Sequence, residues 1–93
     1  MQFAYDFEPS LKKKLARLFK KDRQRYEILM KKIEQITALE ETELEHFKNL
    51  RHDLKDEKRV HIDKSFVLTF RVDKNRKFIL FLDFDHHDNI YEK

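Results

Sequence analysis

The clearest hydrophobic pattern of the chain lies in residues 57–91. Apolar and polar residues alternate from Arg59 to Asp63 and again from Phe66 to Val72, and this period of two is typical of strands with one buried face. A third run, Phe78 to Phe84, is apolar on both faces, as expected of a strand at the centre of a sheet. Short polar links separate the runs, so the pattern predicts a three-stranded antiparallel meander.

The alternation also predicts which side chains share a face of the meander. Four apolar residues of its second strand are expected to face the core: Phe66, Leu68, Phe70 and Val72. Arg71 then faces away from the core, and hairpin pairing brings Arg59 and His61 to that outer side. Residues 86–91 follow the last strand directly, so we expect them to fold back beside this surface.

The third strand of the meander carries more apolar residues than one face requires. One of its faces is expected to hold Phe78, Leu80, Leu82 and Phe84, and the other to hold Ile79 and Phe81. This assignment places Ile79 and Phe81 on the outer side together with Val67. Apolar residues there mark either a docking surface for a partner or a place that the tail of the chain covers.

The first part of the chain predicts one strand and two helices. Residues 2–7 alternate as a strand does, and Pro9 and Ser10 then begin a helix, because proline is tolerated in a first turn. Asp22 is suited to cap a second helix. Each helix carries an apolar stripe at helical spacing, formed by Leu11, Leu15, Leu18 and Phe19 in the first and by Tyr26, Leu29, Met30, Ile33 and Ile36 in the second.

The segment before the meander has a weaker pattern. Thr37 to Glu45 is acidic without a clear apolar period, which indicates a loop or a short helical turn. Phe47 and Leu50 are expected to reach the core before the polar stretch Arg51 to Lys58. The order of elements predicts an α+β fold, strand–helix–helix–three-stranded antiparallel meander, with the helical hairpin packed on one face of a four-stranded sheet.

Composition narrows the class of protein. Residues 1–93 suit a single domain. The absence of cysteine excludes disulfides, cysteine-ligated zinc and thiol catalysis. No secretory segment opens the chain and no apolar run is long enough to span a membrane, so we expect a cytoplasmic protein without a membrane partner.

The distribution of charge along the chain bears on the kind of partner it could bind. Residues 1–35 hold ten Lys and Arg against five Asp and Glu, and the net charge of the chain is +3. A basic excess of this kind permits binding to nucleic acid or to an acidic protein, and it is equally typical of a solvated helix surface.

The order of elements, with HHDNIY after the last strand and FKNLRHDL before the meander, resembles the RelE/ParE toxin superfamily. The chain is most similar to archaeal RelE-type toxins of type II toxin–antitoxin systems. The resemblance implies a RelE-like domain acting as a ribosome-dependent endoribonuclease, an mRNA interferase that inhibits translation. It also implies partners, namely the ribosome, mRNA and a cognate RelB-like antitoxin, with a toxin–antitoxin heterotetramer as one assembly.

The resemblance further implies where RNA is cut. The alternating pair Arg59 and His61 matches the basic strand positions of the family in spacing, and the tail fits a pattern of His or Arg followed by an aromatic residue. Val67 departs from the family, because many members have an arginine there. The expected catalytic set, in which Arg71 replaces that arginine, is Arg59, His61, Arg71, His86, His87 and Tyr91.

The chemistry of RNA cleavage asks for such groups independently of the resemblance. Attack of a 2′-hydroxyl on the neighbouring phosphate needs a base, cations for the charge on the phosphate oxygens, and an acid for the departing 5′ oxygen. Imidazole serves as base or acid near neutral pH, and guanidinium groups stabilise charge. No metal or cofactor is expected, since the adjacent histidines lack a third ligand at a recognisable spacing.

Two other interpretations stay open at this point. The first is a ParE-like toxin that inhibits gyrase without nuclease activity, which the valine at position 67 favours. The second is a degenerate member of the superfamily that serves only as a protein-binding module. Cut transcripts, arrested replication with intact mRNA, or no effect on growth distinguish the three.

Overall fold

The structure is a computed structural model that describes residues 3–48 and 57–91, the side chain of Tyr91 excepted. Its elements in chain order are β1 (Ala4–Phe7), α1 (Pro9–Lys21), α2 (Arg23–Thr37), α3 (Glu41–Leu44), β2 (Glu57–Ile62), β3 (Phe66–Asp73), β4 (Phe78–His86) and α4 (His87–Tyr91). None of the described helices is both long and apolar enough to cross a membrane.

The four strands form one sheet in the order β1-β4-β3-β2. The meander is antiparallel as predicted, and β1 runs parallel to β4 along the opposite edge. β4 is therefore an interior strand, which confirms the interpretation of its apolar run. β2 begins at Glu57, so the polar stretch expected before the meander already contributes two strand residues.

The helical hairpin covers one face of the sheet. Proline stands in the first turn of α1, and the side chain of Asp22 accepts a 3.1 Å hydrogen bond from the Arg25 N–H, so the predicted cap of α2 is confirmed. α3 is a single turn with a capping box, so the segment after α2 forms a short helical turn and not a loop. The principal core residues are Leu11, Leu15, Leu29, Ile33, Ile36, Leu44, Leu68, Phe70, Ile79, Phe81 and Phe84.

A bulge in β4 corrects the predicted faces of that strand. Thr69 pairs with Asp83 but Phe70 pairs with Phe81, so Leu82 is an extra residue in β4. Ile79 and Phe81 therefore lie on the helix-covered side, fully buried in the core, and the prediction that they face outward is wrong. Phe84 joins them on that side instead of sharing a face with Phe78 and Leu80.

The segments around β2 complete the fold. Phe47 packs against the core as expected, whereas Leu50 lies outside the described residues. The turn between β2 and β3 has positive φ at Asp63 (48°) and Lys64 (63°). Neither residue is glycine, so both bear some steric strain in the left-handed region.

Candidate functional site

The cationic face of the sheet, defined by Arg59, His61 and Arg71, lies opposite the helical hairpin. Arg59 and His61 are two residues apart on β2 and so project to the same side, about 7 Å from one another. Arg59 is opposite Thr69 in the register, and Arg71 is two residues further along β3. Such diagonal neighbours lie about 7–8 Å apart. All three residues therefore share one side of the sheet, as predicted, but Arg71 lies four positions along β3 from Val67, the partner of His61.

Arg71 has an anionic partner on this face. Its Nη2 lies 3.7 Å from Oε1 of Glu57, the residue directly opposite on β2. The Arg71 side chain is 52% exposed and that of Glu57 is 20% exposed. A phosphate bound at Arg71 would therefore compete with a carboxylate that is already in place.

His87 joins the cationic face from the end of β4. Its imidazole stacks on that of His61, with ring centroids 5.7 Å apart and an interplanar angle of 24°. The backbone N–H of His87 donates a 2.7 Å hydrogen bond to the Ser65 carbonyl, which fixes the start of α4 against the β2–β3 turn. Two imidazoles and one guanidinium group are thereby gathered within one small area.

His86 points to the other side of the sheet. It pairs with Phe66 in the register and contacts the Phe66 ring edge-on at a centroid distance of 5.7 Å, on the helix-covered side. The structure therefore does not bring His86 to the cationic face. Tyr91 is the last residue of α4, but its side chain is outside the described part of the chain, so its role stays a prediction.

A groove beside β2 extends the cationic face and contains residues that the sequence pattern missed. Its described lining is His46, Phe47, Lys48, Arg59, Val60 and His61, around a volume of about 260 Å³. The Arg59 N–H donates a 2.9 Å hydrogen bond to the Lys48 carbonyl, so the chain after α3 runs alongside β2. His46 and Lys48 come from a segment without hydrophobic period, which gave no signal for their position.

Val67 is the position at which the resemblance implied an arginine. It pairs with His61 in the register and is fully buried, outside the main core cluster. α4 lies against β3 and β4 at this end of the sheet. The prediction that the chain's tail covers Val67 fits this arrangement better than an open docking surface does.

A charged cluster connects α1, β4 and α4. Lys14 Nζ lies 2.7 Å from Asp83 Oδ1 and 2.9 Å from Asp85 Oδ2. Burial opposes ionisation of Asp85, but hydrogen bonds from Asn89, Lys14 and the His86 N–H outweigh it and lower the pKa of Asp85 to about 2. Burial likewise opposes the charge of Lys14, yet its bonds to the two carboxylates raise the pKa of Lys14.

Metal ligands do not cluster in the described part of the chain. Among residues 3–48 and 57–91, no three His, Asp or Glu side chains are arranged to hold a metal ion.

Comparison with known proteins places this chain in a family. No family model matches the chain. The candidate toxin RelE4 of Methanocaldococcus jannaschii is 55% identical over 91 residues, which cover 96% of this chain and 93% of RelE4. An uncharacterized protein of Methanosarcina mazei is 41% identical over 81 residues, covering 87% of this chain and 90% of that protein.

Solved structures show the same fold at low identity. A mutant of the E. coli toxin RelE in the free state has a TM-score of 0.72 at 16% identity, covering 99% of this chain and 93% of that one. E. coli YafQ has a TM-score of 0.62 at 17% identity, covering 97% and 99%. A chain of the RelBE2 toxin–antitoxin complex of Mycobacterium tuberculosis has a TM-score of 0.61 at 18% identity, covering 94% and 100%. The predicted α+β architecture is thus confirmed, and the chain belongs to the RelE family of toxins, where it is closely similar to an archaeal member.

Proposed function

We propose that this toxin is a ribosome-dependent mRNA endoribonuclease that needs no metal and acts in the cytoplasm. The observation that carries the proposal is the stacked pair His61 and His87 beside Arg59 on one face of a RelE fold. RNA cleavage by its own 2′-hydroxyl requires a base, an acid and a cation at one phosphate. This face supplies that combination.

The two imidazoles have complementary roles in this mechanism. One accepts the proton of the 2′-hydroxyl as its oxygen attacks phosphorus, and the other gives a proton to the 5′ oxygen as the phosphorus–oxygen bond breaks. A 2′,3′-cyclic phosphate and a free 5′-hydroxyl are then the products. A neutral imidazole can accept and a protonated one can donate near neutral pH, so a pair suits both steps.

The cations bind the phosphate and stabilise its developing charge. Arg59 lies next to His61 on β2, and Lys48 lines the same groove. A guanidinium group held by a strand and placed before reaction contributes more than one that must reorganise. Arg71 has a smaller role in this scheme, because Glu57 already neutralises part of its charge.

A matched pair of histidine variants tests the proposal. Translating ribosomes programmed with a defined mRNA are mixed with wild type, His87→Ala or His86→Ala, and cut sites are mapped by primer extension. His87→Ala should lower the cleavage rate by about 10²-fold or more, within the usual contribution of an acid or base. His86→Ala should retain most activity, since that ring lies on the other face. Intact mRNA with wild type, or equal loss in both variants, would contradict the proposal.

A specific observation favours the gyrase alternative and makes it part of the same test. Val67 leaves an apolar, buried side chain where a cation would face the scissile phosphate. Wild-type protein that leaves mRNA intact but blocks supercoiling by purified gyrase would support a ParE-like toxin. Neither effect would support a protein-binding module.

The proposed regulator is an acidic RelB-like antitoxin, bound in a heterotetramer. A cleft of about 260 Å³ between α1 and the sheet has an apolar floor and a basic rim, formed by Lys14, Arg17, Leu18, Lys21, Phe66 and Phe84. An amphipathic segment with acidic and apolar residues fits such a surface. The toxin–antitoxin complex among the similar structures supports a partner of this kind.

Charge reversal on the rim tests the antitoxin proposal. The double change Arg17→Glu, Lys21→Glu should weaken binding of the proposed acidic RelB-like antitoxin by at least about tenfold, measured by calorimetry at two salt concentrations. Lys31→Glu, an exposed change on α2, is the control. Equal affinities for the double variant and the control would locate the antitoxin elsewhere.

A further inference from the structure

Lys14, Asp85 and Asn89 form a clasp that joins three separate elements. Lys14 on α1 donates to Asp85 on β4 at 2.9 Å, and the Asn89 side-chain amide on α4 donates to the other oxygen of Asp85 at 2.9 Å. The His86 backbone N–H adds a third bond to Asp85, at 2.7 Å. The clasp thus connects the first helix to the short helix that carries His87.

The sheet geometry explains why the clasp forms at this place. β1 pairs with β4 only through residues 78–81, so among the described strands the rest of β4 has a neighbour on the β3 side alone. The N–H groups of Phe84 and His86 donate instead to the Asp83 and Asp85 side chains. Lys14 of α1 reaches both carboxylates at this edge of β4.

α4 depends on such external bonds for its position. It has five residues, and so short a helix is not stable in water without tertiary support. The clasp holds it through Asn89, and the bond from the His87 N–H to the Ser65 carbonyl holds its first residue. Both anchors act within one turn of the His87 imidazole.

We propose that the Lys14–Asp85–Asn89 clasp is a positioning device that keeps the His87 imidazole stacked over His61. The inference rests on the proposed nuclease function for its catalytic consequence. Lys14, Asp85 and Asn89 touch neither substrate nor the reacting atoms in this scheme, so they are positioning residues. A displacement of His87 by about 1 Å is enough to slow a reaction by as much as 10²-fold.

Asn89→Ala is the principal variant, because it removes the α4 end of the clasp and leaves Lys14 paired with both carboxylates. The control is Asn75→Ala, an exposed asparagine in the β3–β4 turn. Asp85→Ala removes the centre of the clasp. Asp85→Asn keeps an oxygen that can accept from Asn89 and from the His86 N–H, so it should restore much of what Asp85→Ala loses.

The first measurement is NMR of the histidine rings in the free protein, which is independent of any nuclease activity. Asn89→Ala should move the His87 and His61 ring signals towards those of an unstacked imidazole, while Asn75→Ala leaves them in place. Unchanged ring signals in both Asn89→Ala and Asp85→Ala would overturn the proposal. A folded-state spectrum that is otherwise retained excludes general unfolding as the cause.

The second measurement is single-turnover mRNA cleavage on the ribosome. Asn89→Ala should lower the maximal rate by about tenfold or more with little change in the concentration needed for half-maximal rate, since RNA binding is unaffected. Loss of binding with an unchanged maximal rate would contradict a positioning role. Absence of cleavage by wild type would sink the nuclease proposal, and the NMR result would still decide whether the clasp holds His87.

Discussion

The two faces of this sheet are built from the same strands but differ in how deeply their side chains are buried. On β3, Leu68 and Phe70 are fully buried beneath α1 and α2, whereas Arg71 between Phe70 and Val72 is 52% exposed on the cationic face. Adjacent residues of β3 can therefore lie in the core or at the solvent, according to the side to which the strand turns them. We therefore expect substitutions on the two faces to separate the stability of the fold from the proposed nuclease activity.

The largest expected effect comes from the packed face. Phe81→Ala should lower the free energy of unfolding by about 3–5 kcal/mol, because a fully buried ring is lost and a cavity remains. Phe19→Ala, at a ring that is 41% exposed, is the matched control and should cost far less. Urea denaturation measures both, and similar losses would break the comparison between buried and exposed positions.

The cationic face should show the reverse behaviour. Arg59→Ala is expected to reduce mRNA cleavage by about 10²-fold, since a preorganised cation is removed, while the urea midpoint changes little. Arg76→Ala, on the β3–β4 turn with a side chain 85% exposed, controls for loss of one positive charge. A drop in stability equal to the drop in activity would show that Arg59 serves packing instead.

A smaller, pH-dependent effect belongs to the charged cluster. The pKa of Asp85 is lowered from 3.8 to about 2, so its ionised form stabilises the fold above pH 3.8 and this contribution disappears as pH falls through about 2. In Asp85→Asn the free energy of unfolding should change less with pH in that interval. The difference should be roughly 1–2 kcal/mol, at about 1.4 kcal/mol per pKa unit. Asp73→Asn, which loses only an exposed pair with Arg76, is the control.

The smallest expected effect lies in the turn that joins the strands of the cationic face. Lys64 has a φ of 63°, which glycine adopts without the steric cost that a Cβ atom brings. Lys64→Gly should raise the free energy of unfolding by about 0.5 kcal/mol after the entropy lost by glycine is deducted. Asn75→Gly, where φ is not positive, should lower it, and thermal unfolding distinguishes the two signs.

Much of the fold followed from local patterns. The helical stripes, the Asp22 cap and the alternating strands each depend on neighbours a few residues apart, so the sequence carried their signals directly. The placement of Arg59, His61 and Arg71 on one side of the sheet followed as well, because register in an antiparallel hairpin fixes which residues share a side. The family resemblance was confirmed by the archaeal relative.

Other features depend on distant contacts and gave no local signal. The run from Phe78 to Leu82 is apolar at every position, so nothing in it marks where alternation shifts. His46 and Lys48 reach the site only because the chain after α3 lies along β2. Which of the two imidazoles, His86 or His87, reaches the cationic face likewise depends on where β4 ends and α4 begins.

The extra residue in β4 also determines how this strand would respond to a change in its length. Leu82 shifts the alternation of side chains by one position. The residues after it therefore point to the opposite side of the sheet from the one that an uninterrupted strand would give them. Deleting Leu82 would remove the bulge and leave Asp83, Phe84, Asp85 and His86 on their present sides of the sheet, because regular alternation from Phe81 onward gives the same sides. The strand can therefore lose this one residue without reversing any side chain, whereas one further residue would have to enlarge the bulge or reverse the sides of the residues that follow it.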